Sequence, residues 1–288
     1  MTDYIREVLG DMASCGIVPS DPSVIQFDTA TMIRFRVAGD KPGTLNGFCR
    51  LFSDGLPAGA FGSWKTGSQH VWCAKKQADL TAADAAAIHA RLEAVKRERE
   101  AEQVRQHQQT SEVATERFRG LQEASPDHGY LARKRIPAFT ARQEKGLLVL
   151  PIQDFDGQIH SLQTIAANGR KMLLKGGAKR GFHIPIRDSG DGRLLVCEGF
   201  ATGASLALMF PEDGVIAAID AGNMPPVAKA AREQFPEREI VLAGDNDPTG
   251  VRFANKAAWD IQGRLMIPSI PGADWNDIFV MEVANGSR

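Results

Sequence analysis

The stretch from Arg193 to Ile270 constrains the fold more than any other part of the chain. Four short apolar runs, in "RLLVCEG", "GVIAAID", "EIVLAGDND" and "RLMIPSI", are separated by the helix-type segments "ATGASLALMF", "PPVAKAAREQF" and "GVRFANKAAWDIQG". The runs are apolar at successive positions instead of alternating, so each strand must be covered on both faces. Strands of that kind alternating with helices predict an α/β fold, a doubly wound and mostly parallel sheet. In such sheets ligands gather beyond the carboxyl ends of the strands.

Those ends carry acids. The first run stops at Glu198-Gly199, the second at Asp220-Ala221-Gly222-Asn223, and the third at Asp245-Asn246-Asp247. An Asp or Asn after a strand often only caps the following helix, and that is the plainer reading for Asp220 and Asn223. Glu is a poor cap, so Glu198 is harder to explain that way. With the Asp245/Asp247 pair it outlines a site for a hard cation such as Mg²⁺, which prefers carboxylate oxygens. A calcium-loop reading of "DNDPTG" fails, because Lys256 stands at the twelfth position and a strand precedes the loop. No phosphate-binding GxxxxGK[ST], GxSxG or HExxH is present.

Charge is informative only when divided along the chain, whose net value is −1. Residues 131–187 carry eleven basic side chains against three acidic ones, and residues 191–288 carry eight against fourteen. One segment would attract phosphate and the next would hold cations. The four cysteines are scattered with no CxxC pair, so neither a zinc site nor a disulfide framework is expected, and a reducing cytoplasm suits them. No apolar run is long enough to span a membrane, and "MTDYIREVLG" is not signal-like.

Upstream, residues 1–80 read as a small α+β module with a first helix over Tyr4–Cys15 and Gly-rich turns. Residues 81–120 read as one long, charge-balanced connector helix, opened by a capping pair of Thr81 and Asp84 and about 55–60 Å long at ~1.5 Å per residue. Residues 121–190 form the basic part, in which "GLLVLPIQD" and "QIHSLQTI" flank an "FDG" turn. A fragment starting near Gly120 is expected to fold alone.

Residues 191–288, with a Glu after one strand and an Asp-x-Asp after a later one, resemble a Toprim domain. The ordered series "HGYLARKRIP", "LVLPIQDFDGQIHSLQTI", "GRKMLLKGGAKRGFHIPI", "CEGFATGASL", "AIDAGNMPPVAKAAR" and "DWNDIF" resembles the Toprim primases of conjugative plasmids, integrative elements and phages, over roughly residues 121–280. The implied architecture is a Rossmann-like Toprim domain preceded by a basic α+β primase-core subdomain, the connector helix and the N-terminal module. The resemblance implies that Glu198, Asp245 and Asp247 are catalytic and hold one or two Mg²⁺ or Mn²⁺ ions, with Asp274 and Asp277 widening the cluster. It places Arg170, Lys171, Lys175, Lys179, Arg180 and Asn223 at the DNA or nucleotide. Many such primases carry a further acid four residues after the Glu, where this chain has Thr202, so the number of ions stays open.

The implied activity is primer synthesis on a single-stranded DNA template from nucleoside triphosphates. Unwinding would come from a replicative helicase or a replication initiator, and residues 1–80 would contact the template. Two other readings use the same residues: a metal-dependent Toprim nuclease, and a non-catalytic single-stranded-DNA-binding accessory protein. A topoisomerase would need a tyrosine nucleophile in a large separate domain, and the chain has only Tyr4 and Tyr130.

Overall fold

The computed structural model describes residues 2–75, 81–188, 190 and 192–286. It divides into two compact units, residues 1–104 and 105–288.

In the first unit a four-stranded antiparallel sheet runs in the order β1 (Ile33–Phe35), β2 (Gly47–Phe52), β3 (Ala58–Ser63), β4 (Ser68–Cys73). Val8 and Met12 of α1 (Thr2–Ser14) are buried in one core with Phe35, Leu51, Phe61 and Trp72. The long helix α2 (Ala82–Arg119) begins where expected: Thr81 Oγ1 accepts from the Asp84 amide and the Asp84 carboxylate accepts from the Thr81 amide.

The helix is not the bare spacer its composition suggests. Ile88 and Val95 are buried, Arg91 donates to the Leu56 carbonyl, and Glu98 accepts from the Met32 amide. Its last turns belong to the second unit. There Ser111 Oγ donates to the Ile159 carbonyl, Arg117 pairs with Glu144, and Ala114 is buried with Val149 and Leu162. The division between units therefore falls inside the helix.

The second unit holds two sheets. One runs β5 (Gln122–Glu123), β6 (Arg142–Glu144), β7 (Leu147–Gln153), β8 (Ile159–Ala166), β9 (Lys171–Leu173), all antiparallel. Its short helix α3 (Gly129–Lys134) carries Arg133 and Lys134 in the last turn. The other runs β10 (Ile184–Arg187), β12 (Gly214–Ala217), β11 (Leu194–Cys197), β13 (Ile240–Ala243), β14 (Arg264–Met266). Strands β11 to β14 are mutually parallel, and β11, β12 and β13 are buried at every position, as their unbroken apolar runs require.

Helix α4 (Phe200–Met209) is apolar on nearly all sides because the sheet lies beneath it and α7 (Trp275–Ala284) lies beside it. Gly203 permits that approach, since a β-carbon there would lie 2.9 Å from Ile186 Cγ1. Helices α5 (Met224–Gln234) and α6 (Pro248–Ile261) pack together in a second core with Val196, Leu242 and Ile216.

One boundary, that at residue 190, differs from the sequence reading. Residues 184–187, assigned to the basic part, form an antiparallel edge strand of the C-terminal sheet, with Ile184 opposite Ala217. Leu148, Leu150, Ile152 and Ile165 of the basic sheet also share one core with Leu195, Cys197, Phe200 and Val241. The basic part and the parallel sheet are thus one folded body, not two subdomains parted at residue 190. Among the described residues no helix is long and apolar enough to cross a membrane.

Candidate functional site

Parallel pairing fixes the site before any side chain is considered. Cys197 stands opposite Ala217 on one side and Ala243 on the other, so β11, β12 and β13 end level. The residues that follow, Glu198, Asp220, Asp245 and Asp247, are delivered to one sheet edge. Asp247 caps α6, its Oδ1 accepting from the Thr249 and Gly250 amides. Asp245 stays on the strand side of that cap, beside the Glu198 carboxylate.

Glu198 Oε1 and Asp245 Oδ1 are buried and have no hydrogen-bond partner. Burial pushes the Glu198 carboxyl above its usual range, with Asp247 and Asp220 adding like charge. Burial also pushes Asp245 from 3.8 to about 7, helped by Glu198, Asp274 and Asp247. Lys171 works against both shifts, and its Nζ lies 3.4 Å from where a β-carbon on Gly199 would be.

Gly250 completes the cradle. A β-carbon on it would stand 2.6 Å from both Glu198 Oε1 and the Asp245 carbonyl. The first turn of α6 comes this close only because that residue has no side chain. Orphaned buried carboxylate oxygens with elevated proton affinity, beside a lysine and a helix start, are a donor set that fits a divalent cation. Among the described residues, no three acids, histidines or cysteines are already grouped tightly enough to hold an ion.

The other expected residues divide. Asp274 faces this edge: it raises Asp245 electrostatically, and Lys134 Nζ lies 3.7 Å from its carboxylate. Asp277 does not join the cluster. It is reciprocally capped with Asp274, its carboxylate accepting from the Asp274 amide at 3.1 Å while Asp274 accepts from the Asp277 amide at 2.8 Å. It lines a neighbouring cleft of about 560 Å³ with Arg133 and Lys134.

Lys179 pairs with Asp220 at 2.6 Å, and Arg170, Lys175 and Arg180 are exposed on the same basic segment. Asn223 is not open to a ligand. It is buried, its Oδ1 accepts from the Gly181 amide, and its Nδ2 faces the carbonyls of Lys179, Phe182 and Ala218.

Two residues contribute more than the sequence reading gave them. Asp220 does cap the next turn, accepting from the Asn223 amide, yet it also holds Lys179 and presses on Glu198. Gly250 left only one signal, a glycine three residues after Asp247.

Residues 193–285 match the family described as Toprim domain. A protein called DNA primase TraC, from Escherichia coli, is 32% identical over 282 residues, covering 92% of this chain and 26% of its own length. A second Escherichia coli DNA primase TraC is 28% identical over 257 residues, covering 84% of this chain and 18% of its own length. The chain therefore spans about a quarter or less of these curated relatives. The primase fragment of the bacteriophage T7 primase-helicase protein has 18% identity and a TM-score of 0.42, over 57% of this chain and 78% of that chain.

Proposed function

We propose that this chain, which carries a Toprim domain at residues 193–285, is the catalytic part of a DNA primase. It would make short primers on single-stranded DNA from nucleoside triphosphates. The observation that carries the reading is the pair of buried, unpartnered oxygens, Glu198 Oε1 and Asp245 Oδ1, at the edge reached by Lys171. The similarity to two DNA primases over most of this chain supports the same reaction class.

Glu198 and Asp245 would hold Mg²⁺ or Mn²⁺, with Asp247 and Asp274 beside them. The ion held there would supply activation of a 3′ hydroxyl and charge compensation for a triphosphate. The chain's own residues do the rest. The Gly250 cradle keeps the two carboxylates converged. Lys171 offsets their repulsion and presents an ammonium to the phosphates. Lys175 and Arg180 extend that positive surface along the template, where binding is electrostatic and tolerant of sequence. Residues 1–80 would add template contact, and a helicase or initiator would act in trans. The four cysteines are all free, which suits a reducing cytoplasm.

The test is incubation of the full chain with single-stranded DNA, labelled NTPs or dNTPs, and Mg²⁺ or Mn²⁺, with products resolved on a gel. New short oligomers are expected. A shortened template would instead assign a nuclease, and neither product would leave a DNA-binding role.

A further inference from the structure

Asn223 is 3% exposed, yet it belongs to no hydrophobic cluster and its side chain is committed entirely to backbone. Its oxygen accepts from the Gly181 amide at 3.0 Å. Its nitrogen lies 3.1 Å from the Lys179 carbonyl, 3.0 Å from that of Phe182 and 2.9 Å from that of Ala218. One amide thus joins the basic turn at residues 179–182 to the end of β12.

The chain makes a costly turn to reach this position. Ile219, β-branched and buried, has φ 80°, a region such residues avoid. The turn sets Asp220 so that one carboxylate oxygen caps Asn223 while the other takes Lys179 at 2.6 Å.

We propose that Asn223 is a positioning residue: it pins the 179–182 turn to the strand end and thereby sets the Lys179 ammonium at the acidic edge as a binding point for substrate phosphate. Asn223 touches no substrate. Asp220 holds the ammonium in place in the absence of phosphate, and an arriving polyphosphate competes for it. The inference deepens the primase reading and rests on it for the identity of the phosphate carrier, but the pin itself can be read without catalysis.

The experiment compares full-length parent, Asn223→Ala, Asn223→Ser, Asp220→Asn and Lys179→Ala. Amide hydrogen exchange is followed at Gly181 and Phe182, and binding of inorganic tripolyphosphate is measured by calorimetry in chelator. The KM and kcat for nucleotides are measured where synthesis is seen. Asn223→Ala is expected to speed exchange at both amides about tenfold, the scale of one lost hydrogen bond. It should weaken tripolyphosphate binding as much as Lys179→Ala does, about three- to tenfold, and raise KM with kcat nearly unchanged. Asp220→Asn should leave exchange slow. Asn223→Ser, which keeps one donor and one acceptor, should fall between and covers an Ala variant that fails to fold.

Unchanged exchange in the Asn223 variants overturns the pin. A loosened turn with undiminished tripolyphosphate affinity overturns its role, as does a Lys179→Ala variant that binds like the parent. A chain that shows both effects yet makes no oligomers keeps the inference and loses the primase reading.

Discussion

Glu198 Oε1 lies 2.6 Å from the point that a β-carbon on Gly250 would occupy. Two effects of opposite sign follow for Gly250→Ala. The position is in the first turn of α6, where Ala is favoured over Gly by up to about 1 kcal/mol. The new methyl must also displace a buried carboxylate or the strand-end carbonyl of Asp245. The expected result is a protein that melts within a few degrees of the parent but loses about a hundredfold in rate, the scale of a misplaced reacting group. A fully active Gly250→Ala would mean that Glu198 is not held where chemistry needs it.

Asp245→Asn and Asp247→Asn should each lower primer synthesis by roughly a thousandfold, the several kcal/mol a bound ion contributes to charge stabilisation. Their stability effects should differ. Asp245→Asn removes a buried charge that has like charges around it, so the cation-free protein should melt at the same temperature or higher. Asp247→Asn keeps an acceptor for the Thr249 and Gly250 amides and should be near neutral, whereas Asp247→Ala loses the cap and about 1 kcal/mol. Thermal unfolding in chelator, set beside the gel assay, checks both halves.

Asp245, with Glu198 shifted in the same direction, and His183 give the cation-free protein opposing pH dependence. Asp245 moves from 3.8 unfolded to about 7 folded, so between those values the folded state binds the extra proton. Stability from this group falls as pH rises through that window and levels off above it. His183 moves the other way, from 6.5 to about 4, because burial outweighs the nearby Asp154. Its contribution is complete above pH 6.5 and is lost as pH falls towards 4. Melting curves from pH 4 to 8 in chelator should therefore lose their neutral-side decline in Asp245→Asn and their acid-side decline in His183→Phe. The His183 Nδ1 has no partner and its ring lies 4.4 Å from that of Phe155, so the second substitution should cost no more than about 1 kcal/mol. Parallel curves for parent and both variants would contradict these assignments.

Truncation should separate the two readings of α2. A fragment of residues 105–288 keeps Ser111 on the Ile159 carbonyl, Ala114 in its core and Arg117 on Glu144. It should unfold in one cooperative step. A fragment starting at Gly120 loses all three, together with the Phe118 packing, and should be less stable by about 3 kcal/mol or more. Matched melting temperatures would restore the last turns of α2 to a linker.

What could be read in advance follows the range of the forces involved. Strands such as "LLVC" and "IVLA" announce themselves because burial on both faces dictates every residue in them. The convergence of Glu198, Asp245 and Asp247 then follows from parallel register alone. "DWND" is ambiguous because its spacing suits a reciprocal cap as well as a metal cluster: Asp274 faces the acidic edge, while Asp277 is committed to the cap. Asn223 is ambiguous for a related reason: an amide serves a ligand or a backbone turn equally well until the turn is present. The packing of α2 was hidden because its contacts come from widely spaced apolar residues, Ile88, Val95 and Ala114, and from charged partners such as Glu98 and Arg117. Strand β10 was hidden because "HIPIR" directly follows the basic sheet in sequence and only tertiary pairing assigns it elsewhere.

That edge strand bears on how such a protein can be shuffled between genomes. The region matching the Toprim family begins at residue 193, while the strand that closes the open side of β12 is supplied by residues 184–187. A recombination crossover at the start of the match would transfer a sheet with a bare edge, exposing unpaired amides and carbonyls to self-association. The folding unit around this sheet edge therefore begins upstream of the matched region, within the basic segment, and a transferred piece should include residues 184–187.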